Sequence, residues 1–236
     1  MDQEKRQEKR LKIDLHIHTH HSTDSKNDPE ELVRKATDQG FDMIAVTDHG
    51  TTRGALDAEI AAERIFQEEG KELIVIVGQE VKTRQGEILA YGIREDIQEG
   101  MDLLKTCQEI KSKGGFLIVP HPFDLMRRGI GQEINNIREY VDAAEGFNER
   151  TLVTRFNDKA ISFLRKNSIP VVVGSDAHFN DEFGKTYMLI ESGGNNKKSK
   201  EDVFDAIRNG KTEFITQKHG RAYSFKRGLK KIKTYF

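Results

Sequence analysis

Seven short apolar runs, spaced by helical or turn-rich stretches, constrain this chain more than any other feature. They are "KIDLHIH" at 12–18, "FDMIAVTDHG" at 41–50, "LIVIVG" at 73–78, "EILAYGI" at 87–93, "FLIVP" at 116–120, "YVDAAEGFN" at 140–148 and "IPVVVGSD" at 169–176. Runs dominated by Val, Ile and Leu belong to strands buried on both faces, which implies a parallel sheet covered by helices. The intervening segments supply those helices. In "NDPEELVRKATDQG", Asp28 is placed to cap, Pro29 to occupy the first turn and Gly40 to stop, with Leu32, Val33 and Ala36 as the apolar stripe. Further helices are expected over 55–69, 102–113 and 155–167. About seven such units in 236 residues suggest a single α/β barrel of the TIM-like kind.

In such a barrel the loops at the strand ends surround one opening, so the chemistry collects there. In chain order those ends carry His16 and His18, Asp48 and His49, Glu80, His121, then Asp176 and His178. Alternation along the first strand turns Asp14, His16 and His18 to the face opposite Ile13, Leu15 and Ile17. Asp176 and His178 are likewise two apart. Asp48 and His49 are adjacent, so only one of them faces inward, and the other orients a ligand or caps a loop. A single histidine at a strand end is ordinarily structural. Five of the eight in the chain converge here, and imidazoles and carboxylates packed together desolvate one another unless cations lie between them. Mixed His, Asp and Glu sets suit Zn, Mn or Fe.

Bulk properties narrow the alternatives. Lys plus Arg number 38 against 39 Asp plus Glu, a net charge of -1, so no general attraction to nucleic acid or acidic lipid exists and any anion site is local. Cys107 is the one cysteine, which rules out an internal disulfide and paired-thiolate metal sites. It reads as an inert helix residue. No run approaches a membrane span, and the charged start "MDQEKRQEKRLK" has no apolar leader, which points to the cytoplasm. No Walker loop and no GxGxxG after a strand occurs.

The ordered set "DLHIHTHHSTDS", "AVTDHG", "GQE", "VPHPFD" and "GSDAH" resembles the polymerase and histidinol phosphatase (PHP) family, closest to its small stand-alone phosphoesterases. That resemblance implies a distorted seven-stranded β/α barrel with two or three divalent ions, zinc, manganese or iron, in its mouth. It implies His16, His18, Glu80 and Asp176 as ligands of one ion, and Asp24, His49 and His178 as ligands of another. Glu80 would be shared with a third position at His121, where relatives usually add a histidine. This chain has Gly86-Glu87 there, which makes Glu87 the candidate oxygen ligand. Asp28 is assigned to the helix cap rather than to a metal.

The implied activity is hydrolysis of a phosphomonoester or nucleotide-type substrate by a metal-bridging hydroxide, with Asp176, His178 and Glu80 at the catalytic centre. Arg127 and Arg128 are candidates to hold the phosphate, with Lys82 and Arg84 behind them. Glu145 and Asn148 are placed to orient ligands. The alternatives are a non-catalytic metal-binding regulatory module and an amidohydrolase-like enzyme. Expected boundaries are a charged tail at 1–11, the barrel at 12–215 and a basic, aromatic extension at 216–236. That extension either touches a nucleic-acid backbone or a phosphorylated substrate, or packs Tyr223, Phe225, Leu229 and Ile232 on the barrel as a terminal strand or helix; packing is expected, with a small phosphorylated metabolite or nucleotide as partner and no membrane. His20, His21 and His219 have no ligand role.

Overall fold

In the computed structural model, which describes residues 10–191, 199–216, 222–226 and 233–235, the seven runs form strands β1 (Arg10–Ile17), β2 (Met43–Val46), β3 (Ile74–Lys82), β4 (Glu87–Tyr91), β5 (Phe116–Val119), β6 (Ala143–Asn148) and β7 (Val171–Gly174). The helices between them are α1 (Pro29–Asp38), α2 (Arg53–Glu69), α3 (Leu103–Ser112) and α4 (Thr154–Lys166). Asp28 starts α1 as its sequence suggests, accepting from the N–H of Glu30 at 2.9 Å and of Glu31 at 3.1 Å, with Pro29 where no N–H is needed. β1 begins at Arg10 with Leu11 already buried, so the strand reaches into what was expected to be tail.

β1, β2 and β3 are parallel, as are β5, β6 and β7. β4 is not: it runs antiparallel to both β3 and β5. Only residues 83–86 separate β3 from β4, too few for a crossover helix, so the chain turns back in a hairpin and the uniformly parallel sheet is locally inverted. The barrel closes where Ile17 bridges Ala177, through Asp176 N to His16 O at 2.7 Å and His18 N to Ala177 O at 3.0 Å. The first half of β1 pairs instead with β8 (Tyr187–Glu191). After α5 (Lys200–Arg208), the strands β9 (Thr212–Thr216), β10 (Ala222–Lys226) and β11 (Lys233–Tyr235) continue that antiparallel edge. The C-terminal extension is thus joined to the sheet through β9; Leu229, Ile232 and His219 lie outside the described residues.

Three apolar clusters divide the layers. An inner one takes Leu11, Ile13 and Leu15 together with Tyr91, Phe116 and Phe204. Two outer ones lie beneath α1 and α2, and beneath α3 and the 3₁₀ segment Gly131–Ile137. Each fully buried aliphatic or aromatic side chain contributes roughly 1.5–3 kcal/mol. Ile17 belongs to an outer cluster while Leu15 belongs to the inner one, because the β1–β2 register shifts between Asp14 and Ile17. The simple alternation expected along β1 is broken by this bulge. Tyr91 ties β4 to β1, its hydroxyl donating to the Leu15 carbonyl at 2.7 Å. No helix among the described residues is long and apolar enough to cross a membrane.

Candidate metal centre

The strand ends bring the expected side chains to one place. His16 and His18 leave β1 with their Nε2 atoms 3.1 Å apart, and each lies 3.2 Å from Glu80 Oε2 at the end of β3. Asp176 Oδ1, just beyond β7, is 3.4 Å from His18 Nε2 and 3.7 Å from His16 Nε2. On one side, His49 Nδ1 is 3.5 Å from Glu80 Oε2, and Asp24 Oδ2 stands 3.3 Å from His178 Nε2 and 3.8 Å from His49 Nε2. On the other, His121 Nε2 is 3.2 Å from Glu80 Oε1 and 3.6 Å from Glu87 Oε2.

Three donor groups result, each with its ligand atoms within 4.8 Å of one another: His18, His49 and His178; His16, His18 and Glu80; Glu80, Glu87 and His121. The first regroups what the sequence suggested, since His18 joins His49 and His178, with Asp24 at their exposed edge. Asp176 and His121 both hold left-handed backbone, φ +55° and +26°, a conformation costing non-glycine residues of order 1–3 kcal/mol and typical of positions where aim matters more than ease of folding.

A set of neighbours fixes the imidazoles. Glu145 Oε1 accepts from His16 Nδ1 at 2.8 Å, while its Oε2 accepts from His121 N and Asn148 Nδ2, both at 2.8 Å. His18 Nδ1 meets Ser22 Oγ at 3.2 Å, and the Asp176 carbonyl lies 2.9 Å from His178 Nδ1. These contacts leave Nε2 of all three rings for the centre, the arrangement ligating histidines need. Asp48 points away from it. Its carboxylate accepts from Thr19 N and Oγ1, both at 2.6 Å, and from Ser22 Oγ at 2.8 Å, clamping the loop that carries Asp24. Gly54 permits that clamp, since a Cβ there would sit 2.0 Å from Asp48 Oδ2.

Sequence reasoning missed Ser22, Ser25 and Asn27. Ser25 Oγ donates to the carbonyls of His18 and His178 at 3.0 and 2.9 Å, and Asn27 Nδ2 to those of His18 and Ala177 at 2.9 and 3.2 Å. The sole sequence signal was a run of small polar residues after His18. Of the two arginines, only Arg127 joins the centre, bonding Asp176 and, at 2.7 Å, Asn148 Oδ1. Arg128 turns to the Thr83 carbonyl at 3.4 Å, and Arg84 to that of Gly100 at 3.2 Å. Lys82 is half-buried on β3, opposite Glu87 in register. His20 is exposed, and His21 pairs with Asp57 at 2.8 Å.

The electrostatics describe a site short of positive charge. Burial opposes protonation of His16, but Asp176, Glu145 and Glu80 outweigh it and hold its pKa well above the ordinary value. Burial likewise opposes His18, and hydrogen bonds to Asp176 and Glu80 lift it to about 9. Burial would raise Glu80 and Asp176, yet His16, with Arg127 beside Asp176, holds both well below the carboxylate range. Asp24 is lowered against its partial burial by His178, His49 and His18. Burial drops His49, and burial with the neighbouring His18 drops His178 to about 4. Glu87 is pushed up to about 7 by burial and by Glu80. Protons stand in for cations here. The donor set fits divalent metal, and the buried Nδ1 atoms of His49 and His121 have no hydrogen-bond partner.

Comparison with known proteins agrees with this geometry. A family described as PHP-associated matches residues 154–212. An uncharacterized protein of Methanocaldococcus jannaschii is 33% identical over 148 residues, 58% of this chain and 82% of that one. The chain belongs to the PHP family. A candidate metal-dependent phosphoesterase from Bifidobacterium adolescentis shares the fold, with a TM-score of 0.58 at 16% identity over 83% of this chain and 96% of the other. A 5'-3' exoribonuclease of Haemophilus influenzae is 43% identical over 72 residues, 30% of this chain and 24% of the enzyme.

Proposed function

We propose that the protein is a metal-dependent phosphoesterase that hydrolyses a nucleotide-type phosphoester. The observation that carries this is that the three donor groups overlap, Glu80 belonging to two of them with one carboxylate oxygen beside His16 and His18 and the other beside His121, which packs the sites tightly enough for neighbouring ions to act on one phosphate. His16, His18, Asp24, His49, Glu80, Glu87, His121, Asp176 and His178 would hold those ions, which supply an acidified water and neutralise charge growing on the phosphoryl oxygens.

The chain's own residues do the rest. Arg127, 23% exposed at the mouth, has its guanidinium oriented by Asn148 and Asp176, with Nε buried beside Asp124, so the second N–H of each terminal nitrogen is left for a non-bridging oxygen. Asn148 in turn holds Asp176 at 2.9 Å, keeping that carboxylate, with Glu80 and His178, at the reacting centre. Of the seven exposed large apolar side chains among the described residues, Leu125, Met126, Leu152 and Phe179 lie on the loops after β5, β6 and β7. Phe179, next to His178 in the chain, offers a planar base an aromatic face, and the likeness to an exoribonuclease over 72 residues points the same way.

The test is a panel of aryl phosphates, nucleoside monophosphates and a 5'-phosphorylated oligoribonucleotide, assayed with manganese- or zinc-loaded protein. Turnover is expected, with preference for nucleoside leaving groups, and His16→Ala and Asp176→Ala should lose metal and turnover together. Full phosphate release by either variant would overturn the assignment.

A further inference from the structure

The three donor groups are not chemically alike. His18, His49 and His178 present three imidazole nitrogens, whereas Glu80, Glu87 and His121 present two carboxylates and one imidazole. The middle group, His16, His18 and Glu80, has two imidazoles. Imidazole sets suit zinc and its neighbours, and carboxylate sets suit magnesium and manganese.

The carboxylate-rich group is built into the fold rather than scattered on its surface. Glu80 and Glu87 are 1% and 7% exposed, and both sit on the inverted β3–β4 hairpin, where Glu80 pairs with Leu89 and Lys82 with Glu87. The turn is closed by Thr83, whose N–H and Oγ1 both donate to the Gly86 carbonyl at 2.7 Å. Gly86 holds φ +155°, and a Cβ there would lie 2.3 Å from the Arg128 carbonyl, so the loop after β5 presses on this turn. That loop begins at His121. The hairpin and the β5 loop therefore assemble the group between them, on the side of Glu80 away from His49.

We infer that this chain holds a mixed-metal centre: the groups around His18 take zinc-like ions, and Glu80, Glu87 and His121 form a separate, harder position that zinc fills last and that manganese or magnesium occupies while zinc is limiting. This rests on the metal centre proposed above but not on its substrate.

Metal-free protein is supplied with two equivalents of zinc and an excess of manganese, freed of unbound ions, and counted by mass spectrometry, with electron paramagnetic resonance reporting manganese. Zinc is limited because a given site binds it more tightly than manganese. The wild type is expected to retain two zinc and one manganese. Glu87→Gln should keep both zinc ions and lose manganese affinity by about tenfold or more, while Glu87→His should bind a third zinc more tightly than the wild type does and retain less manganese beside two equivalents of zinc. Thermal melts of the metal-free variants establish that they fold.

Two zinc without manganese in the wild type, or equal manganese in Glu87→Gln, would overturn the inference even if phosphate release were observed. Two zinc and one manganese with no phosphate release from any ester would instead uphold it and remove the proposed activity. Retention of neither metal would end both.

Discussion

Glu145→Gln separates an orienting carboxylate from a merely buried one. The carboxylate receives three hydrogen bonds, from His16 Nδ1 on one oxygen and from His121 N and Asn148 Nδ2 on the other, all at 2.8 Å. A glutamine of the same shape has one acceptor oxygen. Turned toward the two fixed donors, it leaves its NH2 facing His16 Nδ1. That nitrogen must then accept, so the proton moves to Nε2, the atom 3.1 Å from His18 Nε2 and 3.2 Å from Glu80 Oε2. An imidazole protonated at Nε2 cannot ligate there. Turned the other way, the NH2 group opposes two buried N–H donors, each costing about 1–3 kcal/mol if unpaired. The first arrangement is favoured, and losing such an orienting partner weakens metal binding by about 10–100-fold, or roughly 1.4–2.8 kcal/mol. Competition against a chromophoric chelator at fixed pH measures this directly. Zinc affinity within twofold of wild type, in a variant with unchanged circular dichroism, would refute the orienting role of Glu145.

The Asp48 clamp predicts a stability effect: Asp48→Ala strands a buried backbone N–H and two hydroxyls, and urea unfolding should show a loss of about 3 kcal/mol, whereas a loss under 1 kcal/mol would contradict the clamp. Burial pushes the Cys107 thiol up to about 12, so a disulfide reagent should find no thiol in the native protein at pH 8 and one after denaturation; rapid native labelling would count against its burial. Metal-free protein should lose stability as pH rises from about 7 to 9. His18 titrates at about 9 in the folded state against roughly 6.5 unfolded, so its contribution is full below the unfolded value and vanishes as pH passes the folded one. His16, also raised, acts in the same direction. Glu87 and Asp14, pushed by burial to about 7, lose theirs earlier, between about pH 4 and 7. Chemical denaturation of chelator-treated protein at pH 7, 8 and 9 tests this, and flat or rising stability would exclude cationic histidines at the centre.

The strand ends were legible because a barrel collects them and because histidine is conspicuous there; once His16, His18, His49, His121 and Asp176 were read as loop-proximal, their meeting followed from topology. The direction of β4 was not. "EILAYGI" carries no sign of which way it runs, and the only clue was the shortness of the gap at 83–86. Nor could alternation reveal the bulge between Asp14 and Ile17, because a register shift depends on the partner strand. Arg127 and Arg128 look equivalent in sequence. They part because Arg128 ends a 3₁₀ turn with φ +56°, which sends its side chain to Thr83 while Arg127 enters the centre. The edge strands β8 and β9 were not anticipated, being short and mixed with charge, whereas β10 and β11 fall in the extension for which a terminal strand or helix was expected.

Barrel closure and ligand alignment turn out to be one structural event. The seam between β7 and β1 is held by Asp176 N to His16 O and His18 N to Ala177 O, so the backbone groups that shut the barrel belong to three residues of the centre and their immediate neighbour. β1 cannot be paired along its whole length by β8, which occupies only its first half through Arg10 to Ile13. Its second half must therefore find partners in the stretch after β7, and the side chains that follow, Asp176 and His178, arrive beside His16 and His18 as a consequence. The left-handed backbone at Asp176 is what lets β7 turn into this seam while aiming its carboxylate inward. Ions bound to His16, His18 and Asp176 would cross-link the same two chain segments from the side-chain layer, so metal affinity and closure of the barrel are thermodynamically linked. A centre of this kind is inseparable from its fold: the ligands are not mounted on a finished barrel, because the last seam of the barrel is made by the residues that carry them.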